Sequence, residues 1–118
     1  MIRHYADIES FQAADGAWIR ELVGRGSGVT SHSIAEIRHP AGTASRAHWH
    51  RGLEEVYVIT AGEGWLTLDG VRQTVHAGDI VVIAPGVVHQ ISAQTDLVMT
   101  VTCAPAYTLE DVVWLDSE

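Results

Sequence analysis

The sequence predicts an all-β fold, a sandwich or barrel, and three observations carry that reading. Short runs of alternating apolar and polar residues recur along the chain, roughly eight to ten of them at near-regular spacing. Glycine, with proline at a few corners, punctuates the gaps between these runs. Helical periodicity is almost absent.

The elements follow in order. "DIESFQAA" is expected to form one or two helical turns after Asp7. "WIRELVG" alternates and stops at Gly24, and "GRGSG" is a flexible loop. "VTSHSIAEIR" alternates again up to His39-Pro40. "WLTLDGVRQTV" places Asp69-Gly70 between two alternating runs, which predicts a hairpin with a two-residue turn. "DIVVIAPG" and "LVMTVTCAP" are short apolar strands ended by proline corners. Thr108, with Asp111 three positions on, has the spacing to cap a short helical turn.

Composition limits the function classes. The chain has 118 residues, 47% of them apolar, with 15 acidic against 7 basic side chains and a formal charge of -8. That length suits one domain spanning 1–118, and burial of roughly two-thirds of the unfolded surface needs no staples. The acidic balance argues against a nucleic-acid partner, because no basic stripe exists to displace counterions. No apolar run is long enough for a membrane span and no leader pattern opens the chain, so no membrane partner and a cytoplasmic location are expected. Cys103 is the one cysteine and reads as a buried strand thiol.

The stretch "AHWHRGLEEVYVITAGEG" carries the chemistry. Residues two apart on a strand face the same side, with Cα atoms about 7 Å apart. His48 and His50 therefore point together, and Trp49 points away. Glu55 lies five positions after His50, the wrong parity for an unbroken strand. Gly52 supplies a break that resets it. From there Glu55, Tyr57 and Ile59 share one face, and Val56, Val58 and Thr60 the other. His89 follows a proline-glycine corner where the chain re-enters a strand. Two imidazoles and a carboxylate, joined by a third imidazole, suit a borderline divalent metal.

Two motifs resemble those of the cupin superfamily, small double-stranded β-helix (jelly-roll) barrels. Gly42, His48-Trp49-His50, Glu55 and Gly62 match the first, and counting to Gly62 selects Glu55 over Glu54. Gly78-Asp79, Gly86 and His89 match the second, with Ala84 at its proline position and Ala93 at its asparagine position. The resemblance covers about 30–105 and the tail is similar to that of small single-domain bacterial cupins. It implies a metal site of His48, His50, Glu55 and His89 with two adjacent positions open to water or substrate. Manganese, iron, nickel, cobalt and zinc all accept such ligands. It also implies a small-molecule substrate and pairing as a homodimer.

The remaining polar and aromatic residues have two readings each. Tyr57 shares Glu55's face and is the candidate catalytic acid or base, as in similar small cupin lyases with a tyrosine two residues after the glutamate. The plainer reading is a barrel-filling aromatic. His32, Ile34, Glu36 and Arg38 share a solvated face, with His32 and Glu36 as alternative rim residues. His4, His39 and His76 sit at element ends and read as surface residues. Trp18 and Trp114 are core or dimer contacts. Tyr107 packs or closes the mouth, and Arg46 reaches a bound anion or lies on the surface.

Three function classes follow from the resemblance. The first is a non-redox metal-dependent isomerase or lyase acting on a small polar hydroxy acid, keto acid or sugar. The second is an iron-dependent oxygenase. The third is a metal- or ligand-binding barrel without turnover.

Overall fold

The computed structural model describes residues 1–115. Among them are eleven strands: β1 (Phe11–Gln12), β2 (Trp18–Val23), β3 (Ser33–His39), β4 (His48–His50), β5 (Glu54–Ala61), β6 (Glu63–Leu68), β7 (Val71–His76), β8 (Ile80–Ile83), β9 (His89–Ala93), β10 (Leu97–Ala104) and β11 (Val112–Trp114). They form a six-stranded sheet, β1-β2-β3-β10-β5-β8, and a five-stranded sheet, β11-β4-β9-β6-β7. Every strand pairing is antiparallel. The two sheets face each other as a jelly-roll barrel, the predicted fold class.

Period-two patterning builds the core. On β10, Leu97, Met99, Val101 and Cys103 are buried and the residues between them are not. Glu55, Tyr57 and Ile59 are the buried positions of β5. These residues meet Leu66, Val75, Ile83 and Ile91 from the other strands to form one apolar cluster.

Two tight connections hold the register. Asp69 and Gly70 have φ of 46° and 84°, the two left-handed residues that a type I′ hairpin turn requires. Gly62 alone joins β5 to β6, at φ 84°. A Cβ there would sit 1.9 Å from the Asp96 carbonyl oxygen. Only glycine meets both conditions at that corner.

Three expectations are corrected. The residues after Asp7 do not form a helix. A single 3-10 turn precedes them at Tyr5–Asp7, and Phe11–Gln12 extends to pair with β2. The turn at Leu109–Asp111 forms, but the Thr108 side chain does not cap it. His39 is not a surface residue: it is buried, because β3 runs through it and Ser33, Ala35, Ile37 and His39 all line the interior. Of its two companions, His4 and His76 are exposed, as expected.

Candidate metal centre

His48 and His50 flank Trp49 on β4, and β4 lies between β9 and β11. His48 is in register with His89 at the start of β9. Glu55 comes from the opposite sheet, where it faces Cys103 on β10 and Ile83 on β8. The chain bends at Arg51-Gly52 between β4 and β5, so the expected reset of parity occurs. Asp111 fixes that bend: its carboxylate accepts hydrogen bonds from Gly52 N at 2.9 Å and Leu53 N at 3.1 Å. The corner before His89 is tied down twice. Gly86 N donates to the His50 carbonyl at 2.9 Å, and Val88 N donates to the Asp69 carboxylate at 2.9 Å. The predicted hairpin turn thus holds the segment that carries the third histidine. Alanines replace the usual side chains at two motif positions without loss of structure. Val87 N still donates to Ala84 O, and Ala93 pairs through its backbone with Gly42 and Thr43.

Ligand-type atoms of His48, His50, Glu55 and His89 all lie within 4.8 Å of one another. His50 Nε2 is 3.2 Å and His89 Nε2 3.0 Å from Glu55 Oε1. Yet all three atoms are buried and have no hydrogen-bond partner. They are close enough to bond and not aligned to do so, which is the arrangement expected of groups converging on a shared point. The far side of the rings explains the orientation. His48 Nδ1 meets the Arg46 carbonyl at 2.7 Å and His89 Nδ1 meets the Val87 carbonyl at 2.9 Å. A carbonyl only accepts, so each Nδ1 carries the proton and each Nε2 lone pair faces inward. His50 Nδ1 lies 3.7 Å from Asp111 Oδ2, an electrostatic partner rather than a hydrogen bond.

Electrostatics agree with this donor set. Burial alone would push the Glu55 carboxyl up, but in the metal-free chain a proton shared with the facing His50 and His89 Nε2 atoms outweighs it and holds the group at about 2. Burial lowers His48 below 6.5, against the pull of the Arg46 carbonyl, which favours the neutral, ligating ring. Three imidazole nitrogens and one carboxylate oxygen match a divalent transition metal. The orphaned buried atoms would be satisfied by one cation among them.

Tyr57 lines the same cavity, its ring centroid 6.3 Å from that of His89. Burial first, then the nearby Glu55 and Cys103, push its phenol well above 10. It therefore holds its proton. Tyr107 faces His50 edge-on at 6.1 Å and is partly exposed, at the edge of the cavity. Trp114 lies 5.2 Å from the His48 ring, with the Arg46 guanidinium 5.1 Å over it. Both Arg46 and Trp114 line the cavity, so Arg46 is exposed yet within the site's reach. Glu36 points outward, where it accepts a hydrogen bond from the Tyr5 hydroxyl and faces Arg20. His32 is exposed beside Ser31. Neither belongs to the centre. Trp18 lies on the outer recess with Glu36.

Two contributors escaped the sequence reading. The Cys103 thiol donates to Glu55 Oε2 at 3.5 Å, leaving Oε1 for the centre. Burial and the carboxylate push this thiol far up, so it stays protonated. Asp111 was expected to serve a helix cap and instead anchors the β4–β5 bend. Neither has a local sequence signal, because each one's partner lies far away in the chain.

A two-sheet β-barrel with three histidines and a glutamate clustered in its bore defines a class of small barrels able to hold a metal. The chain belongs to the cupin family: the model of the cupin domain matches residues 35–105. An uncharacterised protein of Methanocaldococcus jannaschii is 34% identical over 116 residues, covering 95% of this chain and 92% of that one. Among solved structures, a predicted oxalate decarboxylase from Thermotoga maritima superposes with a TM-score of 0.81 at 22% identity, covering 89% of this chain and 99% of that one. Ectoine synthase from P. lautus gives 0.82 at 18% identity, covering 100% and 91%. The nucleoside dehydratase Pac13 of Streptomyces gives 0.80 at 17% identity, covering 98% and 90%. At these identities the likeness establishes the fold alone.

Proposed function

We propose that this chain is a metal-dependent cupin enzyme of the non-redox lyase or isomerase type, acting on a small hydroxy or keto acid. One observation carries the reading. His50 Nε2 and His89 Nε2 stand 3.2 and 3.0 Å from Glu55 Oε1, and all three atoms are buried and unpartnered. A divalent metal held by these atoms and His48 would supply Lewis acidity to a carbonyl or carboxylate oxygen. Tyr57, protonated and on Glu55's face, delivers its proton to a leaving hydroxyl or a developing enolate, and the resulting phenolate takes up the proton released from the substrate carbon. Arg46 at the rim meets an anionic group as it enters. The cavity of about 740 Å³ is walled mainly by apolar side chains, including Ile37, Ile91, Met99 and Val101. A sugar would leave several hydroxyls unpaired against such walls, so an acid with a carbon body is the better substrate. The similar folds of a decarboxylase, a dehydratase and a synthase support non-redox chemistry as one use of this barrel.

Elemental analysis of freshly purified protein tests the metal, and a panel of hydroxy and keto acids followed by NMR tests turnover. About one divalent transition-metal ion per chain and consumption of one acid without oxygen uptake are expected. Bound iron with substrate-dependent oxygen uptake would assign an oxygenase instead. Saturable binding without product would assign a binding barrel. Tyr57→Phe should keep its metal and lose turnover by about 100-fold or more; unchanged turnover with intact metal rejects the role given to Tyr57.

A further inference from the structure

The cavity has a second polar end that the metal reading does not use. Inward positions of β3 run from Ser33, whose neighbour on β10 is Cys103, to His39, whose neighbour is Leu97. Cys103 also faces Glu55. His39 therefore lies six residues farther along the barrel than the metal centre, about 20 Å of extended strand. Between the two ends the wall is Ala35, Ile37, Met99 and Val101.

His39 is 4% exposed, lines the cavity, and its Nδ1 is buried without a hydrogen-bond partner. A buried polar atom left unpaired is unfavourable, so a bound group that pairs with it gains by doing so. Asp15 lines the cavity nearby, with one carboxylate oxygen taken by Ala17 N at 3.0 Å. Burial lowers the His39 ring below 6.5 against the pull of Asp15. A neutral ring beside a carboxylate does not attract an anion. The group that suits this end is an uncharged donor or acceptor.

We propose that His39 is the distal anchor of the substrate pocket. This lengthens the acid proposed above from a compact to an elongated one: an oxygen-donor head at the four-residue cluster, a hydrocarbon middle, and an uncharged hydroxyl, amide or carbonyl tail at His39. The proposal rests on the metal reading only for which end the head occupies.

Titration calorimetry tests it, with dodecanoate, tetradecanoate and hexadecanoate as probes, each with and without an ω-hydroxyl. Wild type, His39→Leu and His39→Gln are compared in metal-replete and chelator-treated form. At the best-fitting chain length, wild type should bind the ω-hydroxy acid about tenfold tighter than the plain acid, the ratio expected for one net hydrogen bond. His39→Leu should bring the two to near-equal affinity, and His39→Gln should keep part of the preference. A wild-type ratio near one, an unchanged ratio in His39→Leu, or no binding of any probe overturns the proposal. The wild-type ratio and the Gln variant decide if the Leu variant does not fold. A preference retained alongside metal-independent binding would mean that the metal reading fails and this one stands.

Discussion

Glu55 is a carboxylate removed from water, flanked by imidazoles and backed by a thiol. Its negative charge in a buried place is tolerable only with a compensating positive one. Glu55→Gln keeps the volume and removes the charge. Metal content of the purified variant should fall at least tenfold, read by elemental analysis, with the β circular dichroism unchanged; full occupancy would remove Glu55 from the donor set. The four cluster residues were readable as residues, because period-two spacing brings His48 and His50 together and the motif count selects Glu55 and His89. Their support was not. Cys103 is 48 positions from Glu55, and no pattern in either stretch announces the contact. His39 differs for another reason: its place at an element end suggests solvent, but β3 runs through it and strand parity carries it inward.

The strands and their connections set where those residues stand. Gly62 turns β5 into β6 against the Asp96 carbonyl, so Gly62→Ala combines a left-handed backbone with a direct clash. It should destabilise the fold by about 2–4 kcal/mol, measured by urea unfolding; a loss under about 0.5 kcal/mol would mean that the corner relaxes freely. Asp111→Ala deletes the carboxylate that takes the Gly52 and Leu53 N–H groups. A cost of about 1–3 kcal/mol is expected. Weaker metal retention in a chelator competition should accompany it, because the β4–β5 bend sets His50 against Glu55. At this scale the Asp69-Gly70 hairpin and the strands of the core were evident from alternation. The helix expected after Asp7 was not formed, since Phe11 and Gln12 gain more from pairing with the edge of β2 than an isolated helical turn of that length offers.

The whole barrel links these centres to acidity. His39 and His48 are each held below their ordinary 6.5 by burial. As pH falls, the unfolded chain takes up protons at these positions first, so the stability they provide is complete above 6.5 and declines below it. Glu55, at about 2 against an ordinary 4.5, adds a second loss between those values. Thermal melts of metal-free protein should show a plateau from above pH 6.5 to about pH 8.5, where the unfolded Cys103 thiol begins to ionise, and a decline in two stages below 6.5. A stability maximum in acid would contradict this picture. From the sequence by itself came the β class, the hairpin, the inward faces and the four cluster residues, because alternation and turn chemistry act over a few neighbouring positions. Tertiary structure alone decided the sheet order, the long apolar cavity, and the anchoring by Asp111 and Cys103. Those depend on which distant strands pair, and antiparallel pairing between segments far apart in the chain is set by packing of the whole core rather than by local pattern.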